Sequence, residues 1–245
     1  MKSLNSLIIT HSNNKLDIAA DKACDWLEAL ATAYSVLKDG GEHITIVSLH
    51  GGQISLDVKS QSSGVTTENI ERCRHDAQAV YHFSHSLPLN EVKAENFDLV
   101  FLAGGYEAMF DFVNNKSLNR ILEDFDHQNK PIGLVGHAAA VLVSLKAVNG
   151  EPLVKGRKVT AFSNSEEELE RMIDKLPFSL ESKLVSLGAL YSKGPAFASH
   201  VVVDGNIITG QNPASSLQAI RQLLSLAHHN EIMELEGNMT SIVKQ

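Results

Sequence analysis

The chemistry of this chain has to come from the few places where an apolar run ends in residues that can react or cradle an anion. The first is "KPIGLVGHAAAVLVSLK", Lys130 to Lys146. Here an apolar run from Ile132 to Val135 breaks at Gly136-His137 and passes into an alanine-rich segment that reads as a helix. A sharp strand-to-helix elbow holds one residue in a strained conformation at the top of a sheet, and the helix N-terminus beside it favours an anion. That residue is Gly136, which has no side chain to react. His137, next to it, can transfer protons.

The second place is "FLAGGYEAMFDF", where an apolar run meets Gly104-Gly105. Paired glycines after a strand let backbone N–H groups approach a ligand, as an oxyanion pocket needs, or simply accommodate a turn. Both readings stand on these residues alone. Thiol chemistry is confined to Cys24 and Cys73, which form no CxxC and have no close partner, so a disulfide framework and a thiolate zinc site are not expected. Cys73 falls on the apolar face of a helix and reads as core. Among the 11 histidines, His82 and His85 alone have i,i+3 spacing on a helix end, with no acid at a ligand interval, so no metal is expected. His228-His229 reads as a helix C-terminus that favours positive charge.

The elements that must position these residues recur regularly. Short apolar runs lie at 6–10, 43–48, 98–103, 132–135, 158–162, 200–204 and 207–210, and most are continuously apolar, as strands covered on both faces are. Helical periods lie between them. Ala23, Trp26, Leu27, Leu30, Tyr34 and Leu37 share a face that ends at Gly40-Gly41, and Ile70, Cys73, Ala77 and Val80 share another. Leu118, Ile121, Leu122 and Phe125 form a third face, and Leu217, Ile220, Leu223 and Leu224 a fourth. This alternation predicts an α/β, flavodoxin-like, doubly wound and mostly parallel sheet with helices on both faces, a three-layer sandwich whose ligands sit at the strands' carboxyl ends. Asp204-Gly205 adds an antiparallel hairpin near 200–210. No repeat or linker interrupts residues 1–245, so one domain is expected, with 230–245 as a C-terminal extension of mixed character. Ser165-x-x-Glu168 reads as a capping box.

Composition narrows the partners. An apolar fraction of 43% suits a well-buried core. Twenty-nine acidic against 21 basic residues give a formal charge of −8, which disfavours nucleic acid and anionic membrane surfaces. The opening residues are too short in apolar length for a signal peptide, and no run approaches a membrane span, so a cytoplasmic protein is expected.

Several longer stretches are similar to one family: "WLEALATAYSVLKDGG", "VSLHGGQISLD", "FDLVFLAGGYEAMFDF", "GEPLVKGRKVTAFSNSEEE" and "YSKGPAFASHVVVDGNIITGQNPASS", together with the elbow. The chain resembles the ThiJ/PfpI superfamily of the class I glutamine amidotransferase-like fold, and especially its chaperone/glyoxalase-like branch, from about Ser6 to His228. The family's elbow resembles "VCHGPA", in which a cysteine attacks a carbonyl carbon, the next histidine assists and a glutamate from the first helix shares the thiol proton. Matching the blocks puts Gly136 at the cysteine, His137 at the histidine and Ala29 at the glutamate. The neighbouring Glu28 is turned about 100° away from Ala29 on a helix.

The resemblance further implies a pocket of Gly104, Gly105, Tyr106, Gly136 and Ala138, with Tyr106 standing where relatives carry histidine. It implies that Glu166 or Glu167 orients His137, and it leaves Cys24 as an alternative thiol. The expected reading is a homodimeric protein without a cofactor that has lost the cysteine chemistry, binding a small carbonyl-type ligand or acting as a chaperone. The alternative is a glyoxalase or hydrolase working through His137 with water, or through Cys24.

Overall fold

The computed structural model describes residues 2–12, 24–54 and 67–242. Strands β1 (Asn5–Thr10), β2 (His43–Ser48), β3 (Leu87–Pro88), β4 (Leu99–Gly104), β5 (Ile132–Gly136), β8 (Val201–Asp204) and β9 (Ile207–Gly210) make one seven-stranded sheet in the order β3-β2-β1-β4-β5-β9-β8. Every pairing is parallel except β8 with β9, the hairpin that closes at Asp204 and Ile207. A separate two-stranded ribbon joins β6 (Lys158–Val159) to β7 (Leu190–Tyr191). The run at 158–162 therefore contributes only its first two residues to a strand, and that strand lies outside the main sheet.

The apolar runs are continuous because successive side chains feed two different cores. Leu7 and Ile9 of β1, with Val100 and Leu102 of β4, enter one cluster under α4 (Ala108–Asp111), α5 (Lys116–His127) and α7 (Leu180–Ser186). Ile8 of β1, with Leu99, Phe101 and Ala103 of β4, enters the other, under α1 (Cys24–Asp39), α2 (Glu68–His75), α3 (Ala77–Ser84) and α8 (Ser216–Ile242). A strand with period-two geometry and helices on both faces is apolar at most positions rather than at alternate ones. This is the three-layer, flavodoxin-like sandwich the alternation implies.

Four local expectations are corrected. The segment around 70–80 is two helices, because Asp76 closes α2 through its own N–H and then caps α3, accepting from Gln78 and Ala79 N–H. That break rotates the second helix, so Ala79 and Phe83 are buried while Val80 is exposed. The residues after the elbow, His137–Val143, form a 3₁₀ segment rather than an α-helix. The extension after Asn230 continues α8 as far as Ile242, which puts His228 in mid-helix. There its Nε2 lies 3.0 Å from Glu42 Oε1, so the pair docks α8 against the residue before β2. The capping box is Ser163 with Glu166, not Ser165 with Glu168, because α6 (Asn164–Leu169) starts earlier, from the extended backbone of Ser163.

Candidate active site at the elbow

β4 and β5 end side by side, with Gly104 in register with Gly136. Each glycine has its own cause. A Cβ on Gly104 would lie 2.8 Å from the Ala108 Cβ and 3.1 Å from the Phe112 ring, so its absence lets α4 pack directly over the strand end. Gly105 then opens the turn, its carbonyl accepting from Ala108 N–H at 3.0 Å. Gly136 is the reverse case: its φ of +61° and ψ of −128° belong to the region glycine tolerates best, yet a Cβ there would meet nothing within 4 Å. The backbone is that of an elbow, and the space a reactive side chain would use is open.

His137 comes next, 5% exposed, with two aromatic rings packed against its own. Tyr106 lies 4.3 Å from it, centroid to centroid, and Phe162 lies 4.5 Å away at an interplanar angle of 30°. Phe197, a non-glycine residue at φ +60°, stands edge-on to Phe162 at 6.4 Å. Tyr106 and Phe162 lie only 6.3 Å from each other, so they pack on adjacent sides of the imidazole and leave part of it open. Its Nε2 lies 2.6 Å from Glu167 Oε1, both side chains being buried. A carboxylate can only accept, so Nε2 is the donor in this contact.

The start of α6 explains why Glu167 faces the histidine and Glu166 does not. Ser163 caps α6, and the third helical residue, Glu166, turns back to accept from Ser163 N–H at 2.9 Å and from its hydroxyl at 2.7 Å. Its other oxygen accepts from Phe197 N–H at 2.8 Å and Asn212 Nδ2 at 2.7 Å. Burial pushes this carboxyl up, but the bonds from Ser163, Asn212 and Phe197 outweigh it and hold Glu166 below the ordinary carboxylate range. Glu167 is rotated about 100° from it and points into the elbow.

The other residues that the sequence points to lie around this core or away from it. Ala138 is fully buried beside His137. Ala29 is buried within the core under α1. Glu28 faces away from that core, accepting from the Thr32 hydroxyl at 2.9 Å, from Asn69 Nδ2 at 3.2 Å and from the Thr67 hydroxyl that caps α2. Cys24 opens α1, but its side chain lies outside the described residues. Cys73 is buried, and burial pushes its thiol up to about 11. Phe162 and Phe197 are additions that the structure makes to the site, since no spacing rule links them to position 137. The signal available in the sequence is that both lie in stretches that resemble a family.

A family model described as "DJ-1/PfpI family" matches residues 18–226. The chain belongs to the DJ-1/PfpI family. Among DJ-1/PfpI relatives, it is 34% identical to a bovine (Bos taurus) "Glutamine amidotransferase-like class 1 domain-containing protein 1", over 66% of this chain and 76% of that protein. It is 26% identical to a glutathione-independent glyoxalase of Schizosaccharomyces pombe, over 76% of this chain and 80% of that one. The crystal structure of a rapid encystment protein from Francisella tularensis superposes with a TM-score of 0.82 at 30% identity, covering 91% of this chain and 99% of that chain. These likenesses agree with the mostly parallel sheet and place the elbow on a DJ-1/PfpI scaffold.

Proposed function

We propose that this DJ-1/PfpI protein binds a small carbonyl-type ligand at the elbow without cysteine chemistry, as a relative of the glyoxalases that keeps the pocket and lacks the nucleophile. The observation that carries the reading is the pairing of an intact, buried His137–Glu167 couple with a glycine at the elbow. Glu167 holds Nε2 of His137, and the space a side chain at Gly136 would enter is open. No thiol stands at Gly136 to add to a carbonyl carbon, so a bound carbonyl compound meets a proton acceptor and nothing with which to form a covalent intermediate.

General-base assistance alone is worth about 10² to 10⁴ in rate, well short of what a covalent route supplies together with it. The aromatic wall of Tyr106, Phe162 and Phe197 suits a compact, partly apolar ligand. The test is binding without turnover. Methylglyoxal is titrated into ¹⁵N-histidine-labelled protein while the His137 ring resonances and D-lactate are followed together. Saturable movement of His137 without D-lactate is expected. D-lactate formation at the wild-type elbow would sink the proposal.

A further inference from the structure

The elbow carries two buried polar atoms that the described residues leave unmatched, one a donor and one an acceptor. The donor belongs to Gln211. Val135 of β5 pairs with Gly210 of β9, so Gly136 and Gln211 follow side by side at the carboxyl ends of neighbouring strands. Gly104 stands in register on the other flank of Gly136. A Cβ at Gly210 would meet Ser215, Val135 and Ala219, on the α8 side of the sheet. Thr209 faces the opposite way, its hydroxyl accepting from Thr160 N–H at 2.9 Å, and strand alternation turns Gln211 to that same face. Gly104 shares the face, since its Cβ would meet Ala108 and Phe112 of the α4 side.

The orientation of the Gln211 amide is fixed. Its Oε1 accepts from Gly194 N–H at 2.8 Å, and a backbone N–H pairs only with the oxygen end of an amide. The backbone N–H of Gln211 is also used, donating to the His200 carbonyl at 2.9 Å. Nε2 alone is left over: the side chain is 0% exposed, and this NH₂ has no hydrogen-bond partner among the described residues. Its neighbours build the wall of the elbow. Gly194 lies in the same segment as Phe197, and Asn212, the next residue, holds Glu166.

The acceptor belongs to Glu167. Oε1 meets Nε2 of His137, while Oε2 is buried with no hydrogen-bond partner among the described residues. The adjacent Glu166 differs, since both of its oxygens accept. A buried polar group without a partner is costly, and folded proteins keep few of them. Here two of opposite sense belong to one site, the donor in the residue beside Gly136 and the acceptor in the residue that holds His137. A ligand that brings an acceptor and a donor together gains at both.

We propose that the ligand of the elbow is a small hydroxycarbonyl compound, its carbonyl oxygen accepting from Gln211 Nε2 and its hydroxyl donating to Glu167 Oε2. This rests on the reading of the elbow as a carbonyl-binding site and makes it more specific. A simple ketone satisfies Gln211 and leaves Glu167 Oε2 unmatched, and a simple alcohol serves only one of the two. Gln211 thereby joins His137 and Glu167 as a binding residue, and no covalent bond forms or breaks.

The test is a titration of the ¹⁵N-histidine-labelled full chain with hydroxyacetone, butanone and 1-butanol, which have equal numbers of non-hydrogen atoms, and with methylglyoxal beside them, reading the His137 ring. Hydroxyacetone is expected to move His137 saturably with half-saturation below ~20 mM, and butanone and 1-butanol to bind at least about fivefold more weakly. Gln211→Glu keeps the oxygen that Gly194 needs and sets a second oxygen where the NH₂ stands. It should bring hydroxyacetone and 1-butanol to within about twofold of each other, whereas a purely structural role for Gln211 would weaken every compound alike. If Gln211→Glu fails to fold, the wild-type ranking decides. Butanone or 1-butanol binding as tightly as hydroxyacetone, or an unchanged preference in Gln211→Glu, would overturn this inference while methylglyoxal binding left the carbonyl-site reading standing. No movement of His137 with any of the four compounds would overturn both.

Discussion

His137 and Glu167 stand 30 residues apart in the chain and 2.6 Å apart in space, in a contact where both side chains are buried. The neighbouring acid does something different: Glu166 never reaches the histidine and instead holds Ser163, Phe197 and Asn212 together. Two consecutive glutamates thus divide the work, one fixing the tautomer of the imidazole and the other fixing the wall behind it. Glu167→Ala leaves a buried Nε2–H without its acceptor and should cost about 1 to 3 kcal/mol. A lower urea midpoint with an unchanged slope is the expected signature; an unmoved midpoint would mean the contact contributes nothing.

Gly136→Ala isolates the backbone of the elbow, because nothing lies within 4 Å of the added methyl. The loss of stability should be about 1 to 3 kcal/mol, all of it from an alanine held at positive φ. Thermal unfolding of the variant checks this. A stabilised variant would show that the elbow relaxes to another conformation.

Glu166→Gln should be most damaging at neutral pH. The folded carboxyl titrates below its unfolded value of about 4.3, so its contribution is complete above that value and is lost as the pH falls through the folded pKa. Denaturation at pH 7 should show a deficit of about 2 to 4 kcal/mol, because the amide keeps one acceptor oxygen and the donors facing its NH2, those of Ser163 or those of Phe197 and Asn212, are left unmatched. The gap between wild type and variant should narrow near pH ~3. A gap that widens on acidification would reverse the assignment.

Cys73 should resist alkylation in the native state. With its thiol near 11 and its side chain buried beside Ser35, only about one molecule in a thousand carries the thiolate at pH ~8. Iodoacetamide followed by peptide mass analysis should find this site unmodified until urea is added. Native labelling at Cys73 would show that α2 opens readily.

The sheet was legible because its strands are apolar at most positions on both faces, a pattern that follows from two covered faces and needs no tertiary information. The elbow was legible for a similar local reason, an apolar run stopped by Gly136-His137. What lay beyond reach depended on choices between near-equivalent local options. Ser163 and Ser165 are both plausible caps, and moving the cap by two residues decides which glutamate meets His137. Asp76 reads as an ordinary helix residue until it is seen closing one helix and opening the next. Phe162 reaches His137, and Phe197 reaches Phe162, only through the tertiary fold, which the linear pattern does not state.

The most direct measurement is D-lactate formation from methylglyoxal by wild type, Cys24→Ala, Gly136→Cys, and Gly136→Cys combined with Ala29→Glu. The account predicts a silent wild type and turnover once the elbow carries a thiol, greatest in the double variant, since the space around a Gly136 Cβ is open to it. A wild type that makes D-lactate, and loses that ability in Cys24→Ala, would contradict the account and place the nucleophile on α1.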